Sequence, residues 1–460
     1  MKARDELEWL KCKRYMHLDL PIEGKRKRRI VSYIQNPSAI SKHAFLPLVR
    51  RTVISYPYRL NSKGERVCKC KRRPLTYASH EDSAIFAYYA YKLQKRYEDY
   101  LVHNSISDVV TAYRKIPSDK HGGNKCSIDF AYDMFRYIKD RLAYDKTLAV
   151  ITFDIQGFFD NLDHKILKQN WKRILNVDKL SSDEYAVYKH VVHYSYVDDM
   201  ALFRLFKDKI ICRKPNGEII ERKVNNKAFL RDKGALAYCM KQNIELIRKN
   251  GLIKTKISDK EPNKGIPQGL PISSVLANLY MMDFDLEVKQ KMSELGAIYR
   301  RYSDDIIVVC PIDIGEKLKM WVQSKIRDVK LKIQEQKTHL YILTNHDNGI
   351  LCEHSIVGTH KKLEYLGFCF DGSRIMLKNS SVGKFYYKMH KTIFRSIYFA
   401  SHMNNKTRGK IFERRLISRF TYAGSKPHQI YKRSSDGKHF YTMEGMKSYG
   451  NYLTYVGASA

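Results

Sequence analysis

Ala297-Ile298-Tyr299-Arg300-Arg301-Tyr302-Ser303-Asp304-Asp305-Ile306-Ile307-Val308-Val309-Cys310 sets two adjacent carboxylates between two short apolar runs. Both runs are rich in β-branched and aromatic residues, which predicts paired strands with the acidic pair in the turn. Like charges at a hairpin tip repel unless something positive sits there, and oxygen-seeking Mg²⁺ is the natural candidate. An isolated Asp-Asp has a plainer reading as a solvated turn. A second acidic strand end weakens it. Leu148–Phe153 is a continuous apolar run typical of a buried strand, and it ends in Asp154. Ile155–Asp160 follows, and a helical stretch begins at about Leu162. A buried strand delivering a carboxylate beside a hairpin-tip carboxylate is the geometry of two-metal phosphoryl transfer. One ion activates the attacking hydroxyl and the other steadies the leaving oxygen, with the ions ~4 Å apart.

These segments resemble, in order, motifs of reverse transcriptases. Asp154–Phe159, Gly265–Pro271 and Tyr302–Asp305 are similar to motifs A, B and C. Lys337, in Gln334–Thr338, resembles motif D, and Leu363–Phe368 resembles the primer-grip hairpin of motif E. One short pattern arises by chance, whereas five in the correct order do not. The resemblance runs from roughly Tyr113 to Phe370. The wording of Phe153–Asp160 and Gln268–Asn278 looks most like prokaryotic enzymes, nearest to abortive-infection and other defence-associated reverse transcriptases. Retron and group II intron enzymes are more distant.

The resemblance implies an α+β chain with the right-hand polymerase fold: fingers, a palm of antiparallel sheet backed by helices, and a helical thumb. Residues 1–147 would be an N-terminal extension and fingers, 148–375 the palm, and 376–460 a helical thumb or C-terminal region. An inserted segment is expected at about 175–262, where Ile210–Ile220 reads as a hairpin with Asn216-Gly217 in the turn. For the chemistry, the resemblance implies RNA-directed DNA synthesis from dNTPs with two Mg²⁺ ions, Mn²⁺ being a possible substitute. Asp154 and Asp304 would be direct ligands, Asp305 a supporting carboxylate, and the Ile155 carbonyl a further donor. Lys337 would protonate the departing pyrophosphate, and Phe159 would exclude a 2′-hydroxyl. Gln268 and Gly269 would bound the nucleotide site, and Arg114 and Lys115 would meet the triphosphate. Asp160, Asp163 and His164 read instead as helix-capping and first-turn polar residues.

Composition bounds the partners. The 460 residues carry 84 Lys and Arg against 48 Asp and Glu, a formal charge of +36. So large a charge repels itself in the compact state unless a polyanion is present, and nucleic acid repays it through counter-ion release. With 33 tyrosines interleaved, RNA is the expected partner, as template and as a structural molecule, together with a DNA product. A second copy or another protein is also a possible partner. Nine cysteines without framework spacing point to reduced thiols and a cytoplasmic setting, and Cys68-Lys69-Cys70 is too tight for the usual zinc pair. No long uncharged apolar run or apolar leader is present, so no membrane association is expected. Two rivals to a conventional copier stay open. One is a template-independent or protein-primed polymerase of the same fold, for which Tyr441, Tyr449, Tyr452 and Tyr455 offer hydroxyls. The other is a catalytically silent RNA-binding scaffold.

Overall fold

The apolar runs around the acidic residues form the strands expected of them. The computed structural model describes residues 7–56, 58–60, 65–68, 70–119, 123–205, 210–213, 219–222, 247–249, 263–359, 361–402, 409, 411–420, 430–433 and 440–443. The chain divides into two compact units, Met1–Lys125 with Leu148–Leu340, and Cys126–Thr147 with Tyr341–Ala460. The chain passes from one unit to the other after residues 125, 147 and 340.

In the first unit, β1 (Leu48–Ser55) pairs antiparallel with β2 (Lys71–Tyr77) and leads to the long helix α1 (His80–His103). Ser79 caps α1 by accepting from the Asp82 amide at 3.1 Å, and Asp19 accepts from the amides of His80 and Glu81. β3 (Thr147–Asp154) is followed by α2 (His164–Leu175), then by β4 (Ser195–Asp198), which pairs parallel with β1. Helices α3 (Ser273–Tyr280) and α4 (Met282–Glu294) precede the hairpin of β5 (Ile298–Tyr302) and β6 (Asp305–Pro311), and α5 (Gly315–Asp328) follows it. β6 lies between β5 and β3, antiparallel to both.

Burial explains why β3 and β6 read as unbroken apolar runs. Ala149, Ile151 and Phe153 join Ile306, Val308 and Cys310 in the main core. Leu148, Val150, Ile307 and Val309, on the opposite face, are buried as well. Helices α1, α2 and α3 pack on one another, while α4 packs on β5 and α5. The expected insertion begins inside this core: the helix Ser182–Val192 buries Val187 and Val191, and β4 belongs to the sheet of β1. Its hairpin strands Ile210–Arg213 and Ile219–Arg222 pair as expected, and their turn, like most of 206–262, lies outside the described residues.

The second unit contains the helix Ser127–Asp145, most of the strand His339–His346 in its hairpin with Gly349–His354, and a small sheet of Leu363–Tyr365, Phe368–Phe370 and Ile375–Leu377. Phe135 stacks on Phe370 with ring centroids 5.3 Å apart. The helix Asn379–Ser401 buries none of its residues and presents Tyr386, Tyr387, Phe394 and Tyr398 to solvent. Tyr441 lies in the strand Phe440–Met443, and Tyr449, Tyr452 and Tyr455 fall outside the described residues. Among the described residues no helix is long and apolar enough to cross a membrane. Cys12, Cys68, Cys70, Cys126, Cys310, Cys352 and Cys369 are free thiols.

Candidate active site

The register of β5, β6 and β3 brings the acidic residues together. Asp305 pairs with Asp154 across β6 and β3, and directly opposed residues of antiparallel strands share a face. Past Asp154 the chain stays bonded on both sides. The Ile155 amide donates to the Asp304 carbonyl at 3.2 Å, the Gln334 amide to the Asp154 carbonyl at 2.8 Å, and the Gln156 amide to the Lys332 carbonyl at 2.8 Å. Lys337, on a short 3₁₀ turn (Glu335–Lys337), follows that clamp, and its Nζ lies 2.7 Å from both Asp154 carboxylate oxygens. Burial raises the Asp304 carboxyl above its ordinary range, and the Asp154 charge adds to the rise while Ser303 and Lys337 oppose it.

These residues fit a hard divalent cation. Two carboxylates that feel each other's charge, beside a buried backbone segment at Ile155, offer oxygen donors and a negative field that a cation relieves. Among the described residues no group of three or more His, Cys, Asp or Glu side chains is gathered to hold a metal. A cation here would be held by the carboxylates of Asp154 and Asp304 with the Ile155 carbonyl, and Asp305 lies opposite Asp154 in the register.

The turn bearing Asp304 is over-determined. Ser303 and Asp304 form a two-residue loop between the paired Tyr302 and Asp305, and Ser303 has φ +61°. A positive φ at that first position is what glycine usually supplies in hairpins; serine holds it here at a cost of roughly 1–3 kcal/mol. Two contacts hold the turn in place: Arg301 Nη1 donates to the Ser303 carbonyl at 3.2 Å, and the Tyr113 and Ser303 hydroxyls lie 3.0 Å apart. Arg301 and Asp285 are fully buried and form a two-pronged pair, Nε to Oδ1 at 2.8 Å and Nη2 to Oδ2 at 2.5 Å. The Tyr299 hydroxyl donates to Asp285 at 2.7 Å, and Arg301 Nη1 reaches Asn278 at 3.2 Å. Sequence reasoning missed this network. Its signal was the period of two in β5, which puts Arg301 on the same inward face as Tyr299.

The expected nucleotide-binding residues separate into two groups. Arg114 is corrected by the structure. Its side chain is only 6% exposed, its Nε and Nη2 hold Glu98, and its Nη1 donates to the Ser107 and Val110 carbonyls, so the guanidinium is committed to packing rather than to a phosphate. Lys115 is exposed and pairs with Glu8 at 2.9 Å. Gln268 is exposed, and its carbonyl accepts from the Thr76 amide at 2.9 Å. Gly269 sits beside the same strand with φ +122°, where a Cβ would overlap the Thr76 carbonyl. Phe159 is half-buried against Phe158 and the core, and its carbonyl accepts from the Ile266 amide at 2.9 Å. Asp163 caps α2 through the Lys165 amide at 2.9 Å, and His164 bonds the Gly265 carbonyl at 2.8 Å.

Residues 224–370 match the family model of reverse transcriptases (RNA-dependent DNA polymerases). The fold is that of a right-hand polymerase. Match and palm together support an enzyme of the RNA-directed DNA polymerase class, a nucleotidyltransferase. The match covers Gln268, Asp304, Asp305 and Lys337, and the sheet register sets Asp154, which lies outside the match, opposite Asp305. No curated protein matches the chain. Among solved structures, apo telomerase from Candida tropicalis truncated from its C-terminal domain is 12% identical with a TM-score of 0.38, over 72% of this chain and 57% of that one. Telomerase from Candida albicans in complex with a TWJ fragment of telomeric RNA is 11% identical with a TM-score of 0.39, over 77% and 49%. The chain thus spans about half the length of these structures.

Proposed function

We propose that the chain copies RNA into DNA, extending a primer with dNTPs at Asp154 and Asp304. The observation that carries this reading is the register placing Asp154 opposite Asp305, with Asp304 in the adjoining turn. Asp154, Asp304 and the Ile155 carbonyl would hold two Mg²⁺ ions, or Mn²⁺ in their place, which when bound activate the primer hydroxyl and offset charge on the leaving phosphate. Lys337 is placed to neutralise Asp154 and to supply a proton to the departing pyrophosphate. Phe159 would limit the sugar to a deoxyribose, Gln268 would bound the nucleotide, and Lys115 would exchange its exposed partner Glu8 for the triphosphate. The charge of +36 supports a resident RNA that is both template and assembly platform. The setting we propose is the prokaryotic cytoplasm, in defence against phage.

The test is to purify the chain with any co-purifying RNA, add Mg²⁺ and labelled dNTPs, and sequence the product beside an Asp304→Ala control. The expected product is lost on RNase pretreatment and in the variant, and is complementary to the bound RNA. Product unrelated to that RNA would replace this reading with template-independent synthesis, and a covalent nucleotide adduct on the protein would indicate protein priming. Tight RNA binding without product in either protein would leave a silent scaffold.

A further inference from the structure

We infer that Arg301 is a positioning residue that, locked to Asp285, sets the direction in which the turn presents the Asp304 carboxylate; this rests on the function proposed above. A buried ion pair is a poor stabilising device, because desolvation offsets most of the attraction. A planar guanidinium gripped by two carboxylate oxygens supplies direction instead. Here Nε and Nη2 are fixed by Asp285, which leaves Nη1 aimed at the Ser303 carbonyl and the Asn278 side chain. The carbonyl it holds belongs to the residue with φ +61°, one position before Asp304. The anchor is itself tied down. Tyr299 donates to Asp285, and Asn278 Nδ2 donates to the Ala112 carbonyl at 3.1 Å. The Arg301 backbone bonds Val109 and Thr111, and Tyr113, two residues on, places its hydroxyl on Ser303. The turn is thus held from its carbonyl and from its side chain by one connected set of groups.

The experiment compares wild type with Arg301→Met/Asp285→Leu, which replaces the pair by apolar groups of similar volume, and with Arg301→Lys, which keeps the charge and loses the fork. Primer extension, affinity for a primer–template duplex, melting temperature and Mn²⁺ binding by the protein alone are measured. A positioning role predicts a double variant that stays folded at the assay temperature and binds duplex equally, yet has kcat reduced roughly 10- to 100-fold with KM for dNTP little changed. Mn²⁺ binding is expected to weaken in both variants. Wild-type kcat and Mn²⁺ affinity in a stable double variant would overturn the inference and leave the pair a packing element. If the double variant fails to fold, Arg301→Lys decides by the same readouts. If wild type makes no product, the proposed function falls, and the Mn²⁺ comparison decides the positioning role independently.

Discussion

Two ion pairs touch the acidic turn and its partner strand, and they differ in exposure. Lys337 and Asp154 keep 35% and 17% of their side-chain surface, whereas Arg301 and Asp285 keep none. A solvent-screened pair is worth at most about 1 kcal/mol, so the ammonium on Asp154 is an exchangeable occupant. A buried pair cannot open without leaving a charge uncompensated. On the proposed function, the first pair would take part in the chemistry and change partner during it. The other belongs to the scaffold and cannot.

The largest effect is expected where chemistry and charge coincide. Asp154→Ala or Asp304→Ala should lower primer extension by roughly 10³-fold or more. Stability should hold or rise in Asp304→Ala, which removes one of two carboxylates that repel each other, and change by no more than about 1 kcal/mol in Asp154→Ala, which also gives up the screened Lys337 pair. A melting temperature several degrees lower would break the division between chemistry and scaffold. Next, Arg301→Met should lose roughly 3–5 kcal/mol in chemical denaturation, by stranding Asp285. Lys337→Met should lose no more than about 1 kcal/mol while slowing extension; the reverse order would overturn the comparison. Gly269→Ala asks whether backbone fit matters as much as buried charge. With φ +122° and the Thr76 carbonyl in the way, it should cost roughly 2–3 kcal/mol, read by denaturant midpoint.

A further effect lies outside both pairs and separates them from ordinary titration. Burial lowers His17 from 6.5 to about 4 against the pull of Asp19 and Asp82. The unfolded chain then takes up a proton below pH 6.5 that the folded chain refuses until about pH 4. Stability should therefore fall with pH across that window, by about 2 kcal/mol between pH 6.5 and 5. His164 and His190, lowered by burial too, act in the same sense, while Asp19 adds its loss only below its unfolded value of 3.8. Melting temperature against pH should be shallower in His17→Gln than in wild type.

Much of the site was legible because its signals are local. Leu148–Asp154 reads as a buried strand since both its faces are covered, and Tyr302–Asp305 reads as a turn since its flanks are β-branched. Asp163 reads as a cap from its place before α2. What sequence concealed depends on distant partners. An arginine in a strand is usually a solvent-facing residue, and only Asp285, Asn278 and Tyr299 make the inward position of Arg301 tolerable. Arg114 was misjudged for the same reason, its partner Glu98 lying on α1. The helix Ser182–Val192 looked like part of an insertion because its apolar residues gave no hint that they complete the main core.

The pairing of Asp154 with Asp305 joins positions about 150 residues apart in sequence. At roughly 5–20 residues per second, a ribosome spends about 8–30 s making the chain between them. Throughout that interval β3 lacks β6, and its apolar edge waits for a partner. Formation of the site is thus a late event in the life of each molecule. A nascent chain ending before β6 holds one half of its acidic centre, and a strand edge on which chaperones or another copy could act.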